Sequence, residues 1–158
     1  MTNTSLDAST QTQPDALMLQ RMLALLYDLW PVVALWMLLS ALFNLGYFVA
    51  GHGEREILKT GSALGILLWL CCWLLAGVYA VMSWSRGGQT LGMRAWRLRV
   101  TGMGETPPTR KQLIQRYAVG TGSLLLGGLG FWWAWFGRDR LTWHDRVSGT
   151  RMVRVPKR

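Results

Sequence analysis

Two long apolar stretches constrain the fold of this chain more than any other feature of its sequence. Residues 22–50 and 61–83 each exceed the roughly 20 residues that a helix needs to cross a bilayer, and the second contains no charged residue. A third apolar stretch, 117–136, is interrupted by five glycines. We therefore predict an all-α integral membrane protein with two firm transmembrane helices. The third segment is predicted to be broken by its glycines.

The basic residues lie between the apolar stretches and set the orientation. The chain has 17 Lys and Arg against 8 Asp and Glu, and seven of the basic residues fall in 84–116. Cytoplasmic loops are enriched in Lys and Arg, so this segment and the N-terminus are predicted to be cytoplasmic and residues 51–60 to face the other side. Seven more follow residue 136. A single crossing by 117–136 would place this second basic segment on the other side of the membrane. The charges therefore favour a re-entrant pair of half-helices in 117–136, with a single crossing as the alternative.

Composition divides the rest of the chain. Residues 1–17 lack Lys and Arg and are rich in Thr, Ser and Gln, which predicts a disordered tail and not a signal peptide. A membrane domain is expected over 18–155, followed by a basic tail, 156–158. The net charge of +9 predicts contact with anionic lipids at the cytoplasmic face. No nucleic-acid motif accompanies the charge, so nucleic acid is not an expected partner.

Two short segments on the cytoplasmic side alternate apolar and polar residues. They are 95–101 (AWRLRVT) and 150–155 (TRMVRV). Alternation with a period of two is typical of a half-buried strand. We predict that the two segments pair into a small antiparallel ribbon at the membrane surface.

Asp28 is the only acidic residue in the three apolar stretches. A carboxylate at the bilayer centre costs about 3 kcal/mol, so it should be paired, protonated, or in contact with water or an ion. Arg21 lies seven residues earlier and shares its helix face, about 10 Å away. Pro31 lacks an N–H, which leaves the carbonyl of Tyr27 without its helical partner. Asp28 and Tyr27 are thus candidate ligands of a cation or proton, and an ordered water or a structural hydrogen bond to another helix is the alternative.

Asp145 is the second acidic residue of interest. Arg138, Arg140 and Arg146 surround it, and nearby positive charge lowers the pKa of a carboxyl, so we predict an ionised aspartate. Arg21 is its candidate partner, and a helix or turn cap is the alternative. His144 is expected to be a surface residue. Histidine and cysteine spacing indicates no metal site, and no nucleophile–base pair is visible, so neither a cofactor nor an enzyme is expected.

Three segments together are similar to a known family. They are Arg21–Trp30 (RMLALLYDLW), Gly88–Val100 (GQTLGMRAWRLRV) and Gly130–Val153 (GFWWAWFGRDRLTWHDRVSGTRMV). The chain resembles the RDD family of small bacterial membrane proteins over residues 18–155. That family is named for one arginine and two aspartates, and the resemblance places them at Arg21, Asp28 and Asp145. It implies a multi-pass protein of the bacterial inner membrane, with transport of unidentified ligands and, in some relatives, sodium/proton exchange.

Two functions are compatible with these residues. The leading hypothesis is transport of ions or small solutes, with Na⁺ or H⁺ bound at Asp28 and Arg21 and Asp145 completing a charge network. Three short hydrophobic segments offer little room for a permeation path, so a homo-oligomer or a partner membrane protein is expected. The alternative is a non-transporting scaffold, assembly factor or accessory subunit in which Arg21, Asp28 and Asp145 are structural.

Overall fold

Two long apolar helices dominate the computed structural model, which describes residues 14–51, 62–104, 106–136 and 141–156. Helix α1 spans Pro14–Val49 and helix α2 spans Ala63–Gly87. Both are long and apolar enough to cross a membrane. The most apolar window of α1 has no buried residue and that of α2 is 11% buried, so neither is the core helix of a water-soluble domain. The two predicted apolar helices are confirmed.

Helix α1 begins earlier than the sequence predicts. The composition of residues 14–17 predicts the end of a disordered tail, whereas the structure places them in the first turn of α1. Proline is well suited to the first position of a helix, where its missing N–H has no helical partner to lose. The prediction for residues 1–13 lies outside the described part of the chain.

The chain reverses sharply after α2. Gly88 adopts a left-handed conformation with φ of 69°, and its N–H donates to the carbonyl of Trp84 at 2.8 Å. A short helix, α3, follows at Leu91–Ala95, and strand β1 at Leu98–Gly102. The backbone N–H of Val100 donates to the carbonyl of Gly88 at 2.7 Å, which ties the strand to the end of α2.

The third apolar segment is divided into two helices at its glycines. Helix α4 covers Arg110–Leu125 and helix α5 covers Leu129–Phe136. Gly127 and Gly128 lie between them with φ of 69° and 78°, a conformation that glycine adopts without steric cost. The carbonyl and hydroxyl oxygens of Ser123 accept hydrogen bonds from the N–H groups of the following segment. Passage of this segment into and out of one membrane face stays a prediction.

A final short helix and strand complete the fold. Helix α6 spans Trp143–Ser148, and strand β2 spans Thr150–Arg154. Strands β1 and β2 are antiparallel, with Leu98 opposite Arg154 and Gly102 opposite Thr150. The predicted antiparallel pairing is therefore confirmed, but β1 starts three residues later than predicted, because Ala95 is the last residue of α3. A small core lies between the ribbon and the helices; it consists of Ala24, Met93, Leu98, Val100 and Leu113. This core gathers α1, α3, α4 and the ribbon at one end of the helix pair.

Candidate functional site

The Asp28 carboxylate accepts three hydrogen bonds. Its Oδ1 atom accepts from the hydroxyl of Tyr79 and from the backbone N–H of Gly92, both at 2.9 Å. Its Oδ2 atom accepts from the hydroxyl of Thr90. The donors come from α2, from α3 and from the N-cap residue that precedes α3. Asp28 therefore joins three elements.

The same group caps the N-terminus of α3. The first N–H groups of a helix have no partner within the helix. Here the hydroxyl oxygens of Tyr79 and Thr90 each accept one of them at 3.3 Å, and Asp28 accepts a third. The three N–H groups belong to Leu91, Gly92 and Met93. Each hydroxyl accepts one backbone N–H and donates its own proton to the carboxylate, so Asp28 is the acceptor of all three of its hydrogen bonds.

Gly92 permits this contact by its lack of a side chain. A Cβ atom at this position would overlap the carbonyl oxygen of Ala24 and would lie 3.0 Å from Cγ of Asp28. Backbone atoms of α1 cannot retreat as a flexible side chain could. The backbone of α3 is therefore in direct contact with the backbone of α1 at Ala24, one helical turn before Asp28.

Neither Arg21 nor Tyr27 is among the hydrogen-bond donors to Asp28. Arg21 shares a helix with Asp28 but pairs with Asp145, 124 residues away in the chain. The Tyr27 side chain is 56% exposed. Pro31 lies within α1 as expected, so the carbonyl of Tyr27 has no donor at residue 31.

Asp145 lies between two arginines. Nη1 of Arg21 is 2.9 Å from one carboxylate oxygen, and Nη1 of Arg116 is 2.5 Å from the other. The three side chains are 0–6% exposed. Arg116 also donates to the hydroxyl of Thr150 at 2.8 Å. Asp145 additionally accepts from the N–H of Thr142 at 3.2 Å, as part of the capping box of α6. Both contacts considered for Asp145 from the sequence, to Arg21 and to a helix cap, occur together.

Burial and charge act in opposite directions on this cluster. Burial favours the neutral carboxyl, but the positive charges of Arg116 and Arg21 outweigh it and hold the pKa of Asp145 far below its usual range. Burial also lowers the pKa of Arg116, although Asp145 opposes that shift. Arginine stays protonated in proteins, so the three side chains carry one net positive charge.

His144 is buried, and its prediction as a surface residue is wrong. It is 5% exposed, and its ring centroid lies 4.8 Å from that of Phe131. Burial, followed by the positive charge of Arg116, lowers the pKa of His144 to about 3. The imidazole is therefore neutral near pH 7. The error arose because α4 and α5 cover α6, a contact that no local pattern in HDRVSGT indicates.

Four residues of the site were missed from the sequence: Arg116, Tyr79, Thr90 and Gly92. In the sequence Arg116 is one of several loop cations, although its position directly before an apolar stretch is a signal of burial. Thr90 precedes the helical LGMRA and is a preferred N-cap residue type. Tyr79 has no such signal. Among the described residues no group of three His, Cys, Asp or Glu side chains is placed to hold a metal ion.

Two apolar helices of membrane-spanning length, with Asp28 and the buried Asp145 at one end of the pair, define a membrane-type protein. The chain belongs to the RDD family, whose model matches residues 16–149. Comparison with curated proteins and with solved structures found no match. The matched range includes Arg21, Asp28 and Asp145.

Proposed function

We propose that this protein is a non-transporting, non-enzymatic scaffold or accessory subunit of the bacterial inner membrane. In this proposal Arg21, Asp28 and Asp145 hold the helices in register, and the segment from α3 to β2 forms a rigid platform on the cytoplasmic side. One observation carries the proposal: both oxygens of Asp28 accept hydrogen bonds from groups that also cap α3.

The surroundings of Asp28 favour anchoring over cation binding. A hard cation such as Na⁺ needs several oxygen ligands with free lone pairs. The two oxygens of Asp28 already accept three hydrogen bonds, from the hydroxyls of Tyr79 and Thr90 and from the backbone N–H of Gly92. A cation bound to these oxygens would have to displace the donors, and the displaced N–H of Gly92 would be left unsatisfied at about 1–3 kcal/mol.

The second cluster supports the same function. Asp145 joins α6 to α1 through Arg21 and to α4 through Arg116. Removing one partner of a buried ion pair typically costs about 3–5 kcal/mol, because the remaining charge is left buried without compensation. Such a cluster fixes the position of α1 against the platform. Homo-oligomerisation or a partner membrane protein fits a scaffold of this size.

Cation- or proton-coupled transport is a second candidate, favoured by one observation. Asp28 hydrogen-bonds Tyr79, eight residues before the end of α2 and hence about 12 Å from that end. Ionisable residues inside a membrane often mark ion or proton paths. The linked hydroxyls of Tyr79 and Thr90 could pass a proton to or from Asp28.

A comparison of wild type with Asp28→Asn separates the two functions. The amide presents N–H₂ where one carboxylate oxygen accepts, so one donor in the α3 cap loses its acceptor. We expect a loss of about 1–3 kcal/mol in stability, seen as a lower thermal midpoint in detergent and lower accumulation in membranes. Tyr79→Phe removes the hydroxyl that donates to Asp28 and accepts from the N–H of Leu91, without changing charge, and should produce a comparable loss in the same direction.

The flux measurement uses purified protein in vesicles that contain a pH-sensitive dye. We expect wild-type vesicles under Na⁺ or K⁺ gradients to match protein-free vesicles. Cation-dependent proton movement in wild type, absent in an Asp28→Asn protein of unchanged thermal midpoint, would establish transport and contradict the scaffold.

A further inference from the structure

Three exposed arginines surround the end of α2. Arg86 lies in its last turn, and the chain then brings Arg94 and Arg99 back to the same place. A Cβ atom at Gly87 would lie 3.9 Å from Nη2 of Arg94, and one at Gly88 would lie 2.8 Å from Cγ of Arg99. Gly88 thus leaves room for the Arg99 side chain, and the guanidinium group of Arg94 lies beside it near Gly87.

Neither of the two acidic side chains that the structure describes forms an ion pair with these arginines. Asp28 accepts from Tyr79, Thr90 and the N–H of Gly92, and Asp145 is buried between Arg21 and Arg116. The C-terminal end of the α2 dipole supplies about half of one negative charge. Three guanidinium groups therefore leave a large positive excess at this helix end.

The helix end is placed at the level of lipid head groups. With 25 residues α2 is about 37 Å long, whereas the hydrocarbon core of a bilayer is about 30 Å thick. Helix α3, which carries Arg94, and strand β1, which carries Arg99, are both held at this end of α2. The Asp28 hydrogen bond to Gly92 holds α3, and the hydrogen bond from Val100 to Gly88 holds β1.

We propose that Arg94 and Arg99 bind the phosphate of an anionic phospholipid at the end of α2. The planar guanidinium group donates two parallel hydrogen bonds to phosphate oxygens, and a site with two such groups discriminates against a zwitterionic head group by charge. The inference rests on the proposed function in one respect, that α2 crosses the membrane.

The test measures lipid affinity by native mass spectrometry of the purified protein. Phosphatidylglycerol, phosphatidylcholine and inorganic phosphate are titrated separately in detergent. We expect one tightly held phosphatidylglycerol per chain in wild type, and a loss of affinity of about 10-fold or more in Arg94→Gln/Arg99→Gln. The matched control, Arg110→Gln/Lys111→Gln, removes two exposed charges from the first turn of α4 and should change affinity by less than about 3-fold.

Three outcomes would overturn the proposal: equal losses in the two double variants, equal affinity for phosphatidylcholine, or displacement of the lipid by inorganic phosphate. Arg94→Gln alone leaves the Arg99 side chain packed on Gly88. It should lose part of the affinity even if the double variant unfolds. Ion flux through wild-type vesicles would contradict the proposed function without altering lipid affinity, so the two failures are distinguishable.

Discussion

Asp145 and His144 are neighbours in the chain and respond in opposite ways to the same arginines. Both are buried, and burial alone favours the neutral form of each. The positive charges of Arg116 and Arg21 keep Asp145 ionised, whereas they add to burial in keeping His144 neutral. A predicted feature, the ionised aspartate beside arginine, thus has an unpredicted consequence for the adjacent histidine.

The stability of the protein should fall as the pH decreases from about 6.5. The pKa of His144 is about 3 in the folded chain and near 6.5 when unfolded, so the unfolded chain binds more protons between these values. The free energy of unfolding then decreases by about 1.4 kcal/mol for each pH unit below 6.5. Asp145 does not contribute to the change in this window. Its lowered pKa stabilises the folded chain above its ordinary value of 3.8, and this contribution is lost only as the pH falls below that value.

The measurement is the thermal midpoint in detergent between pH 7 and 4.5. We expect His144→Gln to have a flatter pH dependence than wild type, and His52→Gln to keep the wild-type slope. Equal slopes in wild type and His144→Gln would show that another group governs this range.

At the scale of elements, the docking of α3 decides the architecture of the site. This helix of five residues is too short to be stable alone. It is held by its cap, by the Asp28 carboxylate and by direct backbone contact with α1 at Gly92. The LGMRA sequence shows where a helix can start, but not against which helix it will pack.

Gly92→Ala should destabilise the protein by about 1–3 kcal/mol or more, since its Cβ would overlap the Ala24 carbonyl oxygen. Gly122→Ala is the matched control. Gly122 lies in α4, and a Cβ atom there would have no neighbour within 4 Å, so alanine should be neutral or stabilise by up to about 1 kcal/mol. Thermal midpoints and accumulation in membranes compare the two, and equal behaviour would contradict the close contact of α3 with α1.

At the scale of the whole molecule, the charged and hydrogen-bonded groups gather at one end of the helix pair. The small core lies beside the end of α2 and the ribbon. Next to it, Arg21 pairs with Asp145 of α6, and Asp28 accepts from the N–H of Gly92. The remainder of α1 and α2 exposes large apolar side chains, as lipid contact requires. One face of the membrane is therefore proposed to carry the entire polar subdomain.

This arrangement predicts that both ends of the chain face the cytoplasm. In a background of Cys71→Ala/Cys72→Ala, Pro156→Cys should react with a membrane-impermeant maleimide only after the cells are permeabilised. Glu54→Cys, in the loop predicted to face the other side, should react in intact cells. Reaction of Pro156→Cys in intact cells would mean that residues 117–136 cross the membrane once.

The sequence by itself determined the two long helices, the broken third segment and the ribbon, but not the short helices α3 and α6. The two apolar helices, the interruption of 117–136 and the ribbon of β1 and β2 follow from hydropathy, glycine placement and alternation, which act over a few neighbouring residues. Arg21 and Asp145 are also predictable as partners, because a charge in an apolar environment requires an opposite charge.

Only the tertiary structure decided which groups satisfy each buried charge. For Asp28 the sequence leaves a cation, a network with Arg21 and a structural hydrogen bond to another helix as alternatives. In the structure Asp28 accepts hydrogen bonds from residues 51–64 positions away, among them Tyr79 of α2. Arg116 and His144 lie in positions whose burial depends on how α4 and α5 pack over α6. Local propensity is a property of neighbouring residues, whereas the partner of a buried polar group depends on which distant segments the fold brings within about 3 Å.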